Sequence, residues 1–290
     1  MSGPALKPNP EKLPAGLYLV ATPIGNARDI TLRALDILAA ADVIAAEDTR
    51  TARKLMEIHQ VGLGNRPLIP YHDHSGAHGR AGLIKLLAAG KSIAYVSEAG
   101  TPLVSDPGYA LAREAGAAGH AVTAAPGPSA VLAALSLSGL PSDRFLFAGF
   151  APSQKSARKR WLAELVAVPA TVVLFESPKR INGLLADMRE AAGDDREAAI
   201  CRELTKKFEE VLRAPLGQLA EQVTARKLKG EIVVLLDRGS AQVSDETMEA
   251  ALDRALEEMS VKEAAASVSE ALGLPRRKVY QAALAHGKKR

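Results

Sequence analysis

Cysteine is almost absent from this chain of 290 residues, with Cys201 standing alone. One cysteine excludes an internal disulfide and a cysteine-rich zinc site, and a reducing cytoplasm is the expected compartment. Aromatic residues make up only 4%, which argues against a platform of rings for stacking nucleobases. No apolar run approaches the roughly 18 residues that a membrane span needs. The opening stretch, MSGPALKPNPEKLP, has no apolar core of the kind a secretory signal carries, and residues 1–13 read as a disordered leader. Four common fingerprints are missing as well: G-x-G-x-x-G, G-x-x-x-x-G-K-[ST], G-x-S-x-G and H-E-x-x-H. Dehydrogenase, P-loop, α/β-hydrolase and zincin chemistry lose their main support.

What is present is a chain able to bury a core, at 47% hydrophobic and 24% charged residues. Its length suits one large domain or two ordinary ones. The net charge of +4 is mild, but its distribution is uneven. SQKSARKR (153–160) and RRKVYQAALAHGKKR (276–290) contain no acid. Each reads either as a solvated face or as a phosphate contact, and the two together favour RNA or DNA. Lys155, Arg158, Lys159, Arg160, Arg276, Arg277 and Lys278 are the candidate contacts, with Arg50 beside them.

Apolar strand-like runs alternate with helical patterns. GLYLVAT (16–22) precedes DITLRALDILAA (29–40), where Asp29 is placed to cap a helix. DVIAAE (42–47), KSIAYVS (91–97) and HAVTAAP (120–126) each lead into a further helix, the signature of a mostly parallel sheet covered by helices. Later runs FLFAGF, ATVVLFE, AAICREL, EEVLRAP and GEIVVLLD read as a mixed second sheet, with the third and fourth close enough to form a hairpin. A helix is expected from Ser177-Pro178. The expected organisation is an N-terminal α/β domain over 14–125, a second over 126–238, and a helical tail over 239–290. In the tail, Ser260 and Glu263 form a capping box, and a Gly-Leu-Pro turn separates two short helices at helix-turn-helix spacing.

Four Gly/Pro loops follow predicted strands: TPIGNARD (22–29), EAGTPLVSDPG (98–108), PGPSA (126–130) and ESPKR (176–180). Ligands of open parallel sheets sit beyond the carboxyl ends of the strands. Any one such loop is explained by a tight turn; four across two halves point to a shared cleft. EDTRTARK (47–54) reads as a site or as an acidic helix start. YHDHS (71–75) puts His72 and His74 on one face if extended; His78 nearby makes a metal site conceivable, but no carboxylate or cysteine is spaced to complete it, and no metal is expected. CRELTKKFEE (201–210) reads as a solvated charged hairpin or as a cleft wall.

Taken together and in order, YLVATPIGNARDITLRALDIL, AAEDTRTARKL, YHDHS, VSEAGTPLVSDPGY, PGPSA, LPSDRFLFAGFAP, FESPKRI, CRELTKKFEE and KGEIVVLL resemble the tetrapyrrole-methylase superfamily. Within it they are similar to the branch that methylates ribosomal RNA. The resemblance covers roughly residues 14–238, and the tail is similar to that branch's tail. It implies a two-domain α/β fold of the class III S-adenosylmethionine methyltransferase type with a C-terminal helical extension. It also implies a homodimer, and methyl transfer to the ribose 2′-hydroxyl of a decoding-region cytidine in small-subunit (16S) ribosomal RNA. By this carry-over S-adenosylmethionine meets Glu98, Ala99, Gly100, Thr101 and Pro102; Pro126, Gly127, Pro128, Ser129 and Ala130; and Phe175, Glu176, Arg202, Glu203, Lys229 and Gly230. One departure stands out: the family's Ser-Asp-Ala-Gly-Thr-Pro is here Ser97-Glu98, one methylene longer. Methyl transfer from a sulfonium needs an oxygen held in line and a base, but no metal. Asp48, His72, His74 and Glu203 are the candidate bases. Two rivals remain. A tetrapyrrole methyltransferase is expected to carry G-x-G-P-G-D where this chain has Thr22-Pro23-Ile24-Gly25-Asn26. A non-catalytic RNA-binding or ribosome-assembly protein leaves the four loops unexplained.

Overall fold

A computed structural model describes residues 11–72, 75–238, 245–272, 274 and 276–287. The leader assignment therefore falls mostly outside the described residues. Five short strands form a first sheet: β1 (Gly16–Val20), β2 (Val43–Ala46), β3 (Leu68–Pro70), β4 (Ser92–Val96) and β5 (Val122–Ala125). Their order is β3-β2-β4-β1-β5, all parallel. Side-chain alternation divides the strands between two cores. Val20, Ile44, Ala94 and Val96 meet α1 (Leu32–Ala40) and α2 (Thr49–Ile58) on one face. Leu17, Val43, Ile93 and Tyr95 meet α3 (Gly76–Ala88) and α4 (Tyr109–Ala117) on the other. Because β1 leads to β2 and β4 leads to β5, the loops after β1 and β4 leave in opposite directions from neighbouring strands. That is a topological switch point, where a crevice opens.

The chain crosses to a second sheet through α5 (Ala130–Ser138). Its strands are β6 (Phe145–Phe150), β7 (Thr171–Glu176), β8 (Glu197–Arg202), β9 (Glu210–Pro215) and β10 (Ile232–Leu236). The order is β6-β7-β10-β8-β9, with β6 and β7 parallel, β10 antiparallel to both neighbours, and β8–β9 a hairpin. α6 (Lys155–Val166), α7 (Ile181–Ala192) and α8 (Leu216–Thr224) cover one face. The other face receives α5 together with Ile24 from the first sheet's own loop.

The tail forms α9 (Asp245–Glu258), α10 (Val261–Leu272) and α11 (Arg276–Gly287). Met248, Leu252, Ala265, Val268, Val279 and Ala283 give it a small core of its own. The Ser260 hydroxyl donates to Glu263, whose carboxylate also accepts the Ser260 N–H, so the capping box is formed. Gly273 and Pro275 of the turn lie outside the described residues.

Two local expectations are corrected. Thr31, not Asp29, caps α1: its hydroxyl accepts the Ala34 N–H at 3.2 Å, while the Asp29 N–H closes a turn on Asn26. α7 starts at Ile181 rather than at Ser177-Pro178, because residues 177–180 form a turn.

Candidate active site

A cavity of about 730 Å³ lies where the strand ends of the two sheets face each other. From the first sheet it is lined by Thr22 to Gly25 after β1, Glu98 to Thr101 and Val104 to Asp106 after β4, and Ser129-Ala130 at the head of α5. One face of α2 (Thr51, Lys54, Leu55, Ile58) completes that wall. Phe150, Phe175 to Pro178, Lys206 and Gly230 to Val233 come from the second sheet. β10 runs against β7 and β8, so its first residue, Ile232, sits beside Glu176 and Arg202 at their last. An antiparallel strand thus delivers its start to the same edge as its neighbours' ends.

The two loops of the switch point hold each other. Thr22 and Gly100 exchange backbone hydrogen bonds at 2.9 and 3.0 Å, and the Thr101 hydroxyl donates to the Pro128 carbonyl at 2.9 Å. Gly108 closes the second loop in the left-handed region (φ +114°), where a Cβ would lie 2.5 Å from the Tyr95 ring. Only glycine fits there without displacing the ring. Tyr95 in turn donates its hydroxyl to the Pro107 carbonyl at 2.9 Å.

On the opposite wall the charges are committed to one another. Glu176 is buried, and Arg180 grips its two oxygens at 2.7 and 2.9 Å while Ser177 donates its N–H to the same carboxylate. Glu176 thus meets the cleft with its backbone. Glu203 accepts the Glu231 N–H and the Lys206 ammonium, each at 3.0 Å. Gly230 lies against it (φ +87°), and a Cβ there would overlap the Glu203 carboxylate. Arg202 ties Glu210 to the Lys229 carbonyl. The Thr205 hydroxyl accepts the Asn26 N–H at 3.0 Å, which joins the two walls.

Of the expected cofactor residues, Glu98, Ala99, Gly100, Thr101, Ser129, Ala130, Phe175, Glu176 and Gly230 line the cavity, whereas Pro102, Pro126, Gly127, Pro128, Arg202, Glu203 and Lys229 are not among its lining residues. Of the candidate bases among the described residues, Asp48, His72 and Glu203, none lines it. Asp48 caps α2, and the hydrogen bonds from Arg50 hold its carboxyl down to about 2. A group ionised so readily is a poor proton acceptor. Glu203 is likewise held below the usual carboxylate range, first by the Glu231 N–H. His72 follows β3 in a turn, its N–H donating to Ser75, and does not continue the strand. His74 lies outside the described residues. Cys201 is fully buried on β8, and burial pushes its thiol up to about 11, so it is no nucleophile. Arg158 is corrected too: it is buried and ion-paired with Asp187 at 2.7 Å, bracing α6 on α7 rather than meeting phosphate. Lys159 pairs with Glu190. Arg50, Lys155, Arg160, Arg276, Arg277 and Lys278 lie on the surface.

Sequence reasoning gave Phe150 no part in the site, and placed Lys54, Asp106 and Lys206 in candidate stretches (47–54, 98–108 and 201–210) without assigning any of them a role of its own. Asp106 was hidden because Asp-Pro-Gly is ordinary turn chemistry. A β-bulge between Phe147 and Phe150 aims Phe150 into the cleft, where it meets Phe175 edge-on at 5.5 Å. The low aromatic content thus concealed a ring cluster at this wall.

The family model for tetrapyrrole (corrin/porphyrin) methylases matches residues 16–220. The chain belongs to that family. Residues 242–287 of this methylase match a second model, described as the RsmI C-terminal HTH domain. Proteins called ribosomal RNA small subunit methyltransferase I are similar over nearly the whole length. The one from Mesorhizobium japonicum is 47% identical, covering 93% of this chain and 91% of its own. That from Vibrio cholerae is 44% identical, covering 91% and 93%. Among solved structures, the methyltransferase CobJ superposes with a TM-score of 0.60 at 18% identity, over 78% of this methylase and 95% of that chain. A uroporphyrin-III C-methyltransferase from Thermus thermophilus, described in complex with S-adenyl homocysteine, gives 0.54 at 17%, over 77% and 97%. At such identities the structures bear on the fold, which is the two-sheet α/β fold expected from the resemblance.

Proposed function

We propose that this methylase transfers a methyl group from S-adenosylmethionine to the ribose 2′-hydroxyl of a cytidine in the decoding region of small-subunit ribosomal RNA, acting as a cytoplasmic homodimer. The observation that carries the reading is the two-walled cavity. Its volume lies within the roughly 300–1,000 Å³ of small-molecule sites. Ile24, Val104, Phe150, Phe175, Ile232 and Val233 offer apolar surface suited to a nucleoside, and Ala99 to Thr101 offer backbone. Glu98 offers negative charge suited to an ammonium group. When bound, the cofactor supplies an activated methyl; the chain's part is to orient the hydroxyl and accept its proton.

The RNA reading rests on relatives 47% and 44% identical whose names carry that substrate, and on the exposed cations Arg50, Lys155, Arg160, Arg276, Arg277 and Lys278. A tetrapyrrole substrate leaves the basic tail without a task. A non-catalytic assembly protein leaves the cavity without one. The test is transfer of labelled methyl from S-adenosylmethionine to 30S particles, with mapping of the modified nucleotide by alkali resistance and mass spectrometry. Label at a single cytidine ribose is expected. Label on a base, or on a tetrapyrrole but not on RNA, overturns the proposal.

A further inference from the structure

Four acidic residues line the cavity: Glu98, Asp106, Glu176 and Glu231. Two are already committed, Glu176 to Arg180 and Glu231 to Lys206. Glu98 is exposed at the rim, with its N–H donating to Glu47 at 3.1 Å. Asp106 is different. It is half-buried in the loop between β4 and α4, with Ser97, Glu47 and Glu98 as its polar neighbours. The loop that carries it takes an unusual path: Leu103 (φ +73°) and Ser105 (φ +60°) both sit in the left-handed region. Such strain persists only where surrounding structure enforces it. The loop's far end is anchored by the Tyr95 hydroxyl, which donates to the Pro107 carbonyl.

Resting on the ribose-methylation reading, we propose that Asp106 is the general base of this enzyme. Its carboxylate accepts the proton of the ribose hydroxyl as the oxygen–methyl bond forms and the methyl–sulfur bond breaks. The charges balance: carboxylate and sulfonium are neutralised together, leaving a carboxylic acid, a methyl ether and a thioether. Burial pushes the Asp106 carboxyl up to about 6; Ser97 opposes this, and the charges of Glu47 and Glu98 add to it. A base poised there is still ionised at neutral pH and binds a proton far better than Asp48, held at about 2.

The experiment compares wild type, Asp106→Asn and Asp106→Glu in three measurements. Titration calorimetry reads S-adenosylmethionine affinity, carboxyl ¹³C shifts read the titration of the cofactor-free protein, and single-turnover methylation of 30S particles is followed against pH. Asp106→Asn is expected to bind cofactor within threefold of wild type and to lose one carboxyl titrating near 6. It should methylate about 100-fold or more slowly, within the range for a lost general base. The wild-type rate should rise with pH to an inflection near or below 6, which the Asn variant lacks and the Glu variant retains with part of the rate. A rate within threefold of wild type, a retained inflection, or a tenfold loss of cofactor affinity overturns the assignment. The last outcome would make Asp106 a cofactor contact. Wild-type protein that binds cofactor yet leaves RNA unmethylated overturns the functional reading instead.

Discussion

The two walls of the cleft handle charge in opposite ways. On the second sheet's wall, Glu176 is locked to Arg180, and Glu203 and Glu231 share Lys206. On the first sheet's wall, Asp106 faces the cavity with the like charges of Glu47 and Glu98 for company. The difference assigns the tasks. Paired charges have fixed geometry and little capacity to take up a proton, so they shape a site. An aggregated, half-buried carboxylate has its proton affinity raised, so it can act.

The sharpest way to break this comparison is to unlock the second wall. Arg180→Ala strands Glu176, whose side chain has 0% exposure, as a buried charge. A loss of about 3–5 kcal/mol in unfolding free energy is expected. Urea denaturation reads it, and a loss below 1 kcal/mol would mean the wall does not depend on the pair. Replacing Glu176 and Arg180 together by Gln and Met should recover most of the loss.

A smaller effect of the opposite sign is expected on the first wall. The folded-state carboxyl of Asp106 lies above its unfolded value, so its contribution is fully present below about pH 4 and fades as pH rises through about 6. Asp106→Asn should therefore be more stable than wild type at pH 7.5, by about 1 kcal/mol once solvent screening of a half-exposed group is allowed for. The two proteins should converge below pH 4. Thermal melts from pH 3.5 to 8 check this, and a destabilised variant at pH 7.5 would place Asp106 among the paired groups.

The smallest effect on the cleft should come from removing the tail. Truncation after Arg238 takes away α9 to α11, which have their own core. Cofactor affinity should stay within about twofold, on the order of 0.4 kcal/mol. RNA affinity should fall several-fold and its salt dependence flatten by roughly 0.7–0.9 per lost phosphate contact. Titrations at two salt concentrations, full length against truncated, decide it. Equal slopes would move the RNA face to Lys155 and Arg160 on α6.

Much of this protein was legible in its sequence, because the signals are local. Apolar runs named every strand of both sheets except β3, whose three partly exposed residues are too few to show a pattern, and the turn between Arg202 and Glu210 named the β8–β9 hairpin. The Gly/Pro loops marked the strand ends that meet at the cavity. Periodicity and turn stereochemistry act over a few residues, so they can be read from a few residues. The fate of each charge could not be read that way. Glu203 is satisfied by an N–H 28 positions later, Arg158 by a carboxylate 29 positions later, and Asp106 is raised in part by Glu47 from another strand end. Asp48, Glu203 and Asp106 look alike as letters. Only the folded chain decides which carboxylate is paired, which is capped and which is left facing the cleft, because proton affinity depends on burial and on charges brought near by tertiary contacts.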